Sequence, residues 1–513
     1  MKNKKILLLL VLFAAGSSFI ESCKKLPQNT YSVVPVGNFF QTPAQISAGL
    51  APAYTAATPL QTESVFQLNE ATTDEMVIPT RGNNWYDGGE HQQLWLHTVD
   101  ANNANDNGGW TDLSNGITKC NFVISIINGL ATKPANAPAL IAEISVLRDY
   151  YIFLMTDLYG NIPLVTAYST SASLAQVKRA DIYAYLVNDL IKNIPLLSAD
   201  NATTTPANYG HMNQWGGYML LAKLYLNAQV YTGTADWANA LKYANMVIAS
   251  GKYSLQPNFF DNFSYNNRTS VENIFVIPFN NPNIGGNVIQ MYTLNYNNIY
   301  TYNLVNQPYN GFCAPTAFYD SFDNADLRKK MWIVGPQYTS TGALIQPPLA
   351  PLTTLSKYVL ELSNPADSFA YAGARSVKYQ PQPGTGGSGT SNDGVRFRLA
   401  DAYMMSAEAS LRMGDVANAL INVNLIRSRA GLPALSTLTL DDLLKERGHE
   451  FAWEGWRRND LIRFEVASGT HYYTGARVPT KTQDADNHTL VFPIPQPQRN
   501  TNPLLAQNPG YGN

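Results

Sequence analysis

Charge is scarce in this chain. Lys, Arg, Asp and Glu make up 14% of its 513 residues, against about 25% in an average soluble protein. The balance is slightly acidic, with 35 basic against 37 acidic side chains; without residues 1–22 it is 32 against 36, or −4. Nucleic-acid binding needs a clustered basic face, so no nucleic acid is expected as the main partner. Only Cys23, Cys120 and Cys313 are cysteines. No disulfide framework is therefore expected, and a chain of this length can rely on a hydrophobic core. After the N-terminal region no stretch approaches 18 consecutive apolar residues, so no spanning helix is expected there. Enzyme signatures are missing as well. There is no G-x-S-x-G elbow, no cysteine–histidine arrangement, and the glycine-rich run at 384–389 lacks the Lys-Ser/Thr of a P-loop. His449-Glu450 opens an H-E-x-x-H zinc pattern, but Trp453 stands where the second histidine belongs. Asp74 and Glu75 form an acidic pair, yet nothing in the sequence brings a second carboxylate to the separation that glycoside hydrolysis requires. Catalysis, a metal ion and a cofactor are not expected.

What the chain does have begins at its N-terminus. Lys2, Lys4 and Lys5 precede an apolar run from Ile6 to Ala15, long enough for a secretory signal and too short to cross a bilayer. Ser22-Cys23 follows, an arrangement that looks like a bacterial lipoprotein signal with Cys23 acylated after cleavage. The alternative is an ordinary signal with an incidental cysteine, and Glu21 inside the box favours it. Residues 1–22 are thus read as signal peptide and 23–40 as anchor and tether; Lys24 and Lys25 stand where acidic export residues would.

Helical periodicity marks two blocks, about 43–250 and 397–463. Segments 115–127 and 142–154 carry apolar residues at helical spacing, and Tyr159-Gly160-Asn161-Ile162-Pro163 is a helix stop. An internal echo joins the blocks. Leu221–Leu226 with Ala238–Ala244, broken at Tyr231-Thr232-Gly233, is repeated by Tyr403–Ala409 with Ala417–Val423, broken at Gly414-Asp415. The spacing suits tetratricopeptide-like helix pairs, or plain helical hairpins. Residues 251–396 change character: 280–286 and 383–389 are turn-rich, and tyrosines cluster at 292, 296, 300, 302 and 309. A second ring-rich loop runs from Asn83 through Trp85, Tyr86 and Trp95 to Trp110. Binding residues concentrate on loops held by a rigid scaffold, so these two regions are the candidate ligand surface.

The C-terminal part carries ordered motifs: Arg398–Ala409, Val423–Leu432, then Glu446-Arg447-Gly448-His449-Glu450-Phe451-Ala452-Trp453-Glu454-Gly455-Trp456-Arg457-Arg458, Phe492-Pro493-Ile494-Pro495 and a final Asn508-Pro509-Gly510-Tyr511. With Leu147-Arg148-Asp149-Tyr150-Tyr151 upstream, this resembles the SusD/RagB family of Bacteroidetes outer-membrane lipoproteins over essentially the whole mature chain. The resemblance implies a mostly α fold with a tetratricopeptide-like scaffold and a loop-rich ligand region. Its halves would be 41–250 and 251–513, the latter with insertion 251–396 and helical block 397–463. It further implies non-catalytic glycan binding at the cell surface and delivery to a SusC-like TonB-dependent transporter, the outer membrane being reached through the lipid on Cys23. A peptide or other nutrient as cargo, or an adaptor role for the helical surface, are the alternatives.

The family holds no ligand residues at fixed positions, so the site is read from chemistry. A sugar face packs on aromatic rings while its hydroxyls need amide, carboxylate or guanidinium partners. Trp85, Tyr86, Trp95 and Trp110 are the expected rings, with Arg81, Asn83, Asn84 and Asp87 as polar partners, and Tyr292, Tyr296 and Tyr300, with Tyr302, as the opposing wall. Trp215, Trp237, Trp453 and Trp456 fall on helical patterns and are expected in the core. Cys120 is read as a buried thiol, with pairing to Cys313 as the alternative. Glu446, Glu450 and Glu454, four apart, are expected to form an ion-pair lattice with Arg447, Arg457, Arg458 and Arg463.

Overall fold

Thr42 opens the first helix through a capping box with Gln45, whose backbone N–H it receives at 3.3 Å. The computed structural model describes residues 40–81, 84–169, 173–201, 208–280, 285–345, 373–387, 389–475 and 486–512. The signal, Cys23 and Asn83 lie outside them. The first block holds α1 (Pro43–Thr55), α2 (Ser64–Glu70), α3 (Glu90–Leu96), α4 (Ala104–Gly129), α5 (Ala137–Tyr159), α6 (Arg179–Asn193), α7 (Gln214–Leu226) and α8 (Trp237–Ala249). Every residue of α5 from Ile144 to Tyr159 is buried, as befits a helix packed on all sides. α4 and α6 pack along it, and Gly160 ends it at φ 72°.

The loop-rich region is closed at its base by an antiparallel pair, β1 (Asn273–Ile277) with β4 (Gly394–Arg398). Between them, β2 (Trp332–Ile333) pairs with β3 (Arg375–Ser376). β4 runs directly into α9 (Leu399–Arg412), so the helical block begins two residues later than its periodicity suggests. There follow α10 (Val416–Arg429), α11 (Leu440–Phe451) and α12 (Arg457–Ser468). The repeated pairs are α7/α8 and α9/α10, and they stack through α8 against α9. Their second helices start alike: Asp236 accepts from the N–H of Asn239 at 3.2 Å, and Asp415 from that of Asn418 at 3.1 Å. The fold is mostly α and tetratricopeptide-like, as expected. Among the described residues no helix is long and apolar enough to cross a membrane.

The acidic face of α11 does form a buried lattice, but with partners from across the chain. Glu450 meets Arg398 at 2.5 Å, Arg328 at 3.0 Å and also Arg429. Glu446 pairs with Arg328 and Arg427, and Glu454, beyond the end of α11, with Arg398 and Lys378. The local arginines serve other carboxylates: Arg447 takes Asp401 and Asp460, Arg457 takes Asp74, and Arg463 takes Glu408 and Asp460. Trp453 and Trp456 are core; Trp215 and Trp237 are only half-buried. Cys120 and Cys313 are both free and buried, so the pairing alternative falls.

Candidate ligand-binding site

The two ring-rich regions meet. The backbones of Arg81 and Asn84 bond each other at 2.8 and 2.9 Å, turning the chain so that Asn84 Nδ2 donates to Tyr296 Oη at 3.1 Å. Trp85 Nε1 donates to the carbonyl of Tyr309 at 2.8 Å. These two bonds clasp the loops over a cleft of about 410 Å³. Asn84, Trp85 and Asp87 line one wall, and Tyr296 and Gln307–Tyr309 the other. The indole lies against Gly311, where an added Cβ would come within 2.3 Å of it; a side chain there would evict the ring. Tyr292 stands behind, 5.8 Å from the indole and stacked on Phe312 at 4.9 Å, with its hydroxyl donating to Glu63 at 3.2 Å. The turn itself is unusual. Trp85 at φ 62° and Asp87 at φ 42° sit in the left-handed region beside Gly88 and Gly89, a placement that non-glycine residues keep only when their surroundings enforce it.

Of the expected site residues, Trp85 and Tyr296 are brought together across the cleft. Tyr86, next to Trp85 in the chain, is 55% exposed and does not line the cleft. Tyr300 is 60% exposed on the one-turn helix Asn298–Tyr302 but does not line the cleft. Four further expectations need correction. Trp95 and Trp110 are buried because they belong to α3 and α4 rather than to a loop. Arg81 is buried too: its guanidinium turns down to the Gly311 carbonyl and the Cys313 thiol, each at 3.3 Å. Tyr292 supports the indole rather than facing the cleft. Gln307, Pro308 and Tyr309 were not singled out; Tyr309 stood in the tyrosine cluster, whereas Gln307 and Pro308 gave no signal in the sequence.

Asp87 is the charged member of the lining, its side chain 53% exposed. His91 Nε2 lies 3.2 Å from it and 3.8 Å from Glu90. Burial lowers the pKa of His91 although Asp87 opposes this, and burial followed by the charge of Asp87 raises that of Glu90. The ligand atoms of Asp87, Glu90 and His91 all lie within 4.8 Å of one another, close enough to share a divalent cation, although the imidazole already pairs with Asp87.

Two constellations elsewhere look catalytic at first sight. Ser321 Oγ is 2.9 Å from His449 Nε2, beside a cavity of about 320 Å³ that both residues line. Burial and then Arg328 push the pKa of His449 down to about 2, however, and such a ring is a poor proton acceptor. His449 Nδ1 is also 3.8 Å from Asp326, beyond hydrogen-bond reach. Glu70 and Glu75 form a carboxyl pair under the 453–455 turn, where they receive the N–H groups of Gly455 at 2.5 Å and Trp453 at 3.1 Å. Both are buried, out of reach of a glycosidic bond.

Family comparison places this architecture. The model described as "SusD family" matches residues 226–511, and that described as "Starch-binding associating with outer membrane" matches residues 30–226. The chain belongs to the SusD family. It is 25% identical to the starch-binding protein SusD of Bacteroides thetaiotaomicron over 488 residues, covering 87% of this chain and 85% of that protein. Among solved structures it resembles surface glycan-binding protein A from Bacteroides uniformis, with TM-score 0.74, 21% identity, and 91% and 99% of the two chains covered. Its counterpart from Bacteroides thetaiotaomicron in complex with laminarihexaose gives TM-score 0.71, 20% identity, and 91% and 99% coverage. These likenesses establish the fold for this SusD-family chain.

Proposed function

We propose that this protein binds glycan at the cell surface in the cleft between Trp85 and Tyr309 and passes it, uncleaved, to a SusC-like TonB-dependent outer-membrane transporter. The lipid on Cys23 would hold it to the outer membrane, extracellular side outward. The observation that carries the reading is the clasp: an indole fixed at its nitrogen, flanked by Asn84, Asp87, Gln307 and two tyrosines, offers the ring and planar polar partners that a sugar needs. Relatives named for starch and for laminarihexaose support a glycan over a peptide. The adaptor alternative requires the rings to be core, and the exposure of Tyr86 and Tyr300 speaks against it. Absence of turnover is supported by the depressed basicity of His449 and the burial of Glu70 and Glu75.

Calorimetry with neutral gluco-oligosaccharides tests the site. Loss of one stacking ring should weaken binding by roughly 1–3 kcal/mol, about tenfold or more. Trp85→Ala and Tyr309→Ala should both show it, whereas Trp237→Ala, half-buried under Arg412, should bind as wild type. Folded cleft variants that bind as tightly as wild type would refute the assignment, and cleavage products on prolonged incubation would refute the non-catalytic part.

A further inference from the structure

Resting on that reading of the cleft, we infer that the site selects uncharged sugars and rejects glycans bearing carboxylate or sulfate groups. The polar atoms presented to a ligand are the amides of Asn84 and Gln307, the tyrosine hydroxyls and the Asp87 carboxylate. Anionic sugars are held by guanidinium or ammonium donors, which offset the water an anion gives up. Among the described lining residues there is no such donor, and the group nearest that role in the sequence, Arg81, spends its guanidinium on Gly311 and Cys313 beneath the floor. Arg375 is likewise buried, with Nη2 donating to Asn310 at 2.8 Å. Both guanidiniums belong to buried residues, so neither offers a ligand in the cleft a hydrogen bond.

The Asp87 carboxylate lines the cleft with its side chain half exposed, 3.2 Å from His91 Nε2. Glu90 adds a second carboxylate 3.8 Å from the same ring. For hydroxyls the same Asp87 is an asset, because a carboxylate accepts from two neighbouring sugar hydroxyls at once. A ligand carboxylate roughly 5 Å from Asp87 would bind about fourfold more weakly even in a water-like dielectric.

The test uses the full mature chain with matched probes: neutral gluco-, manno- and galacto-oligosaccharides, and the same compounds after oxidation of their C6 hydroxymethyl groups to carboxylates. Titrations are run at 50 and 500 mM salt. The expected result is binding of at least one neutral probe, with its oxidised partner fourfold or more weaker at low salt and the gap narrowing at high salt. Asp87→Asn should narrow the same gap. An oxidised probe that binds wild type as tightly as its neutral partner, with both lost in Trp85→Ala, would overturn the charge selection while leaving the cleft in place. Neutral binding that survives Trp85→Ala would instead overturn the cleft assignment and this inference with it. Failure of every neutral probe to bind would also overturn it.

Discussion

Removing the Glu450 carboxylate should destabilise the fold by about 3 kcal/mol, the low end of the range for breaking a buried ion pair. The number follows from charge counting in the lattice. Arg328, Arg398, Arg427, Arg429 and Lys378 face Asp326, Glu272, Glu446, Glu450 and Glu454, five cations against five carboxylates. Glu450→Ala leaves one uncompensated positive charge beside the buried Arg328 and Arg398. The penalty is not three times larger, because each stranded guanidinium keeps another carboxylate: Arg328 keeps Asp326 at 2.8 Å, Arg398 keeps Glu272 at 2.9 Å, and Arg429 keeps Glu272 at 2.6 Å. Urea denaturation is the assay, read as a fall in midpoint with unchanged slope. Glu450→Gln combined with Arg429→Gln restores the count and should recover part of the loss. A single variant within about 1 kcal/mol of wild type, or a double variant no better than the single, would refute the reasoning. The pH sign is fixed too. Burial alone would raise the pKa of Glu450, but Arg429, Arg398 and Arg328 overcome it and hold it well below the usual carboxylate range. Its contribution is therefore complete above the ordinary carboxylate pKa and is lost as pH falls below that value.

Glu75 should behave in the opposite sense. Burial, against Arg457 and aided by Asp74, pushes its pKa up to about 8, so the native state holds a proton that the unfolded chain releases, and stability falls as pH rises from the ordinary carboxylate range toward 8. Glu75→Gln should flatten that slope, which is at most about 1.4 kcal/mol per pH unit; melts across pH 4–9 with an unaltered slope would count against it. Gly311→Ala should weaken glycan binding tenfold or more by pushing the indole off its seat, visible as a shift in tryptophan emission; unchanged emission together with unchanged affinity would show that the seat is not needed. Cys23→Ala should abolish incorporation of radiolabelled fatty acid, and equal label in both proteins would mean an ordinary signal.

The helix pairs were legible because small alanines at helical spacing and glycine breaks are local signals. Gly233 and Gly414 do sit at positive φ, at 80° and 87°, at the predicted breaks. β4 was missed although Val395 and Phe397 alternate with Arg396 and Arg398. Alternation of that kind normally marks a half-exposed strand, but here both arginines are buried. Arg398 is accommodated by Glu272, Glu450 and Glu454, and Arg396 by the Tyr150 hydroxyl at 2.8 Å. The lattice was likewise legible as a set of charges and illegible as pairs, since the partners of Glu450 come from β4, from α10 and from a segment 122 residues upstream.

The site divides in the same way. Trp85 and Tyr296 could be picked out because rings in a loop without apolar periodicity have no core to enter. Trp95 and Trp110 share that ring-rich stretch, but Leu113 and Ile117 continue the apolar spacing of Trp110 and reveal its helix. That the two ring-rich loops face each other was expected from their chemistry, but which residues join them was not legible, because the bonds span 212 and 224 residues. Those two bonds also explain how the strained turn persists. Left-handed backbone at Trp85 and Asp87 is unfavourable by on the order of 1–3 kcal/mol each, comparable to what two hydrogen bonds and a seated indole return. The turn is therefore only as stable as its contact with residues 296–311, and the ring and the carboxylate it presents are held in place by the opposite wall of the cleft.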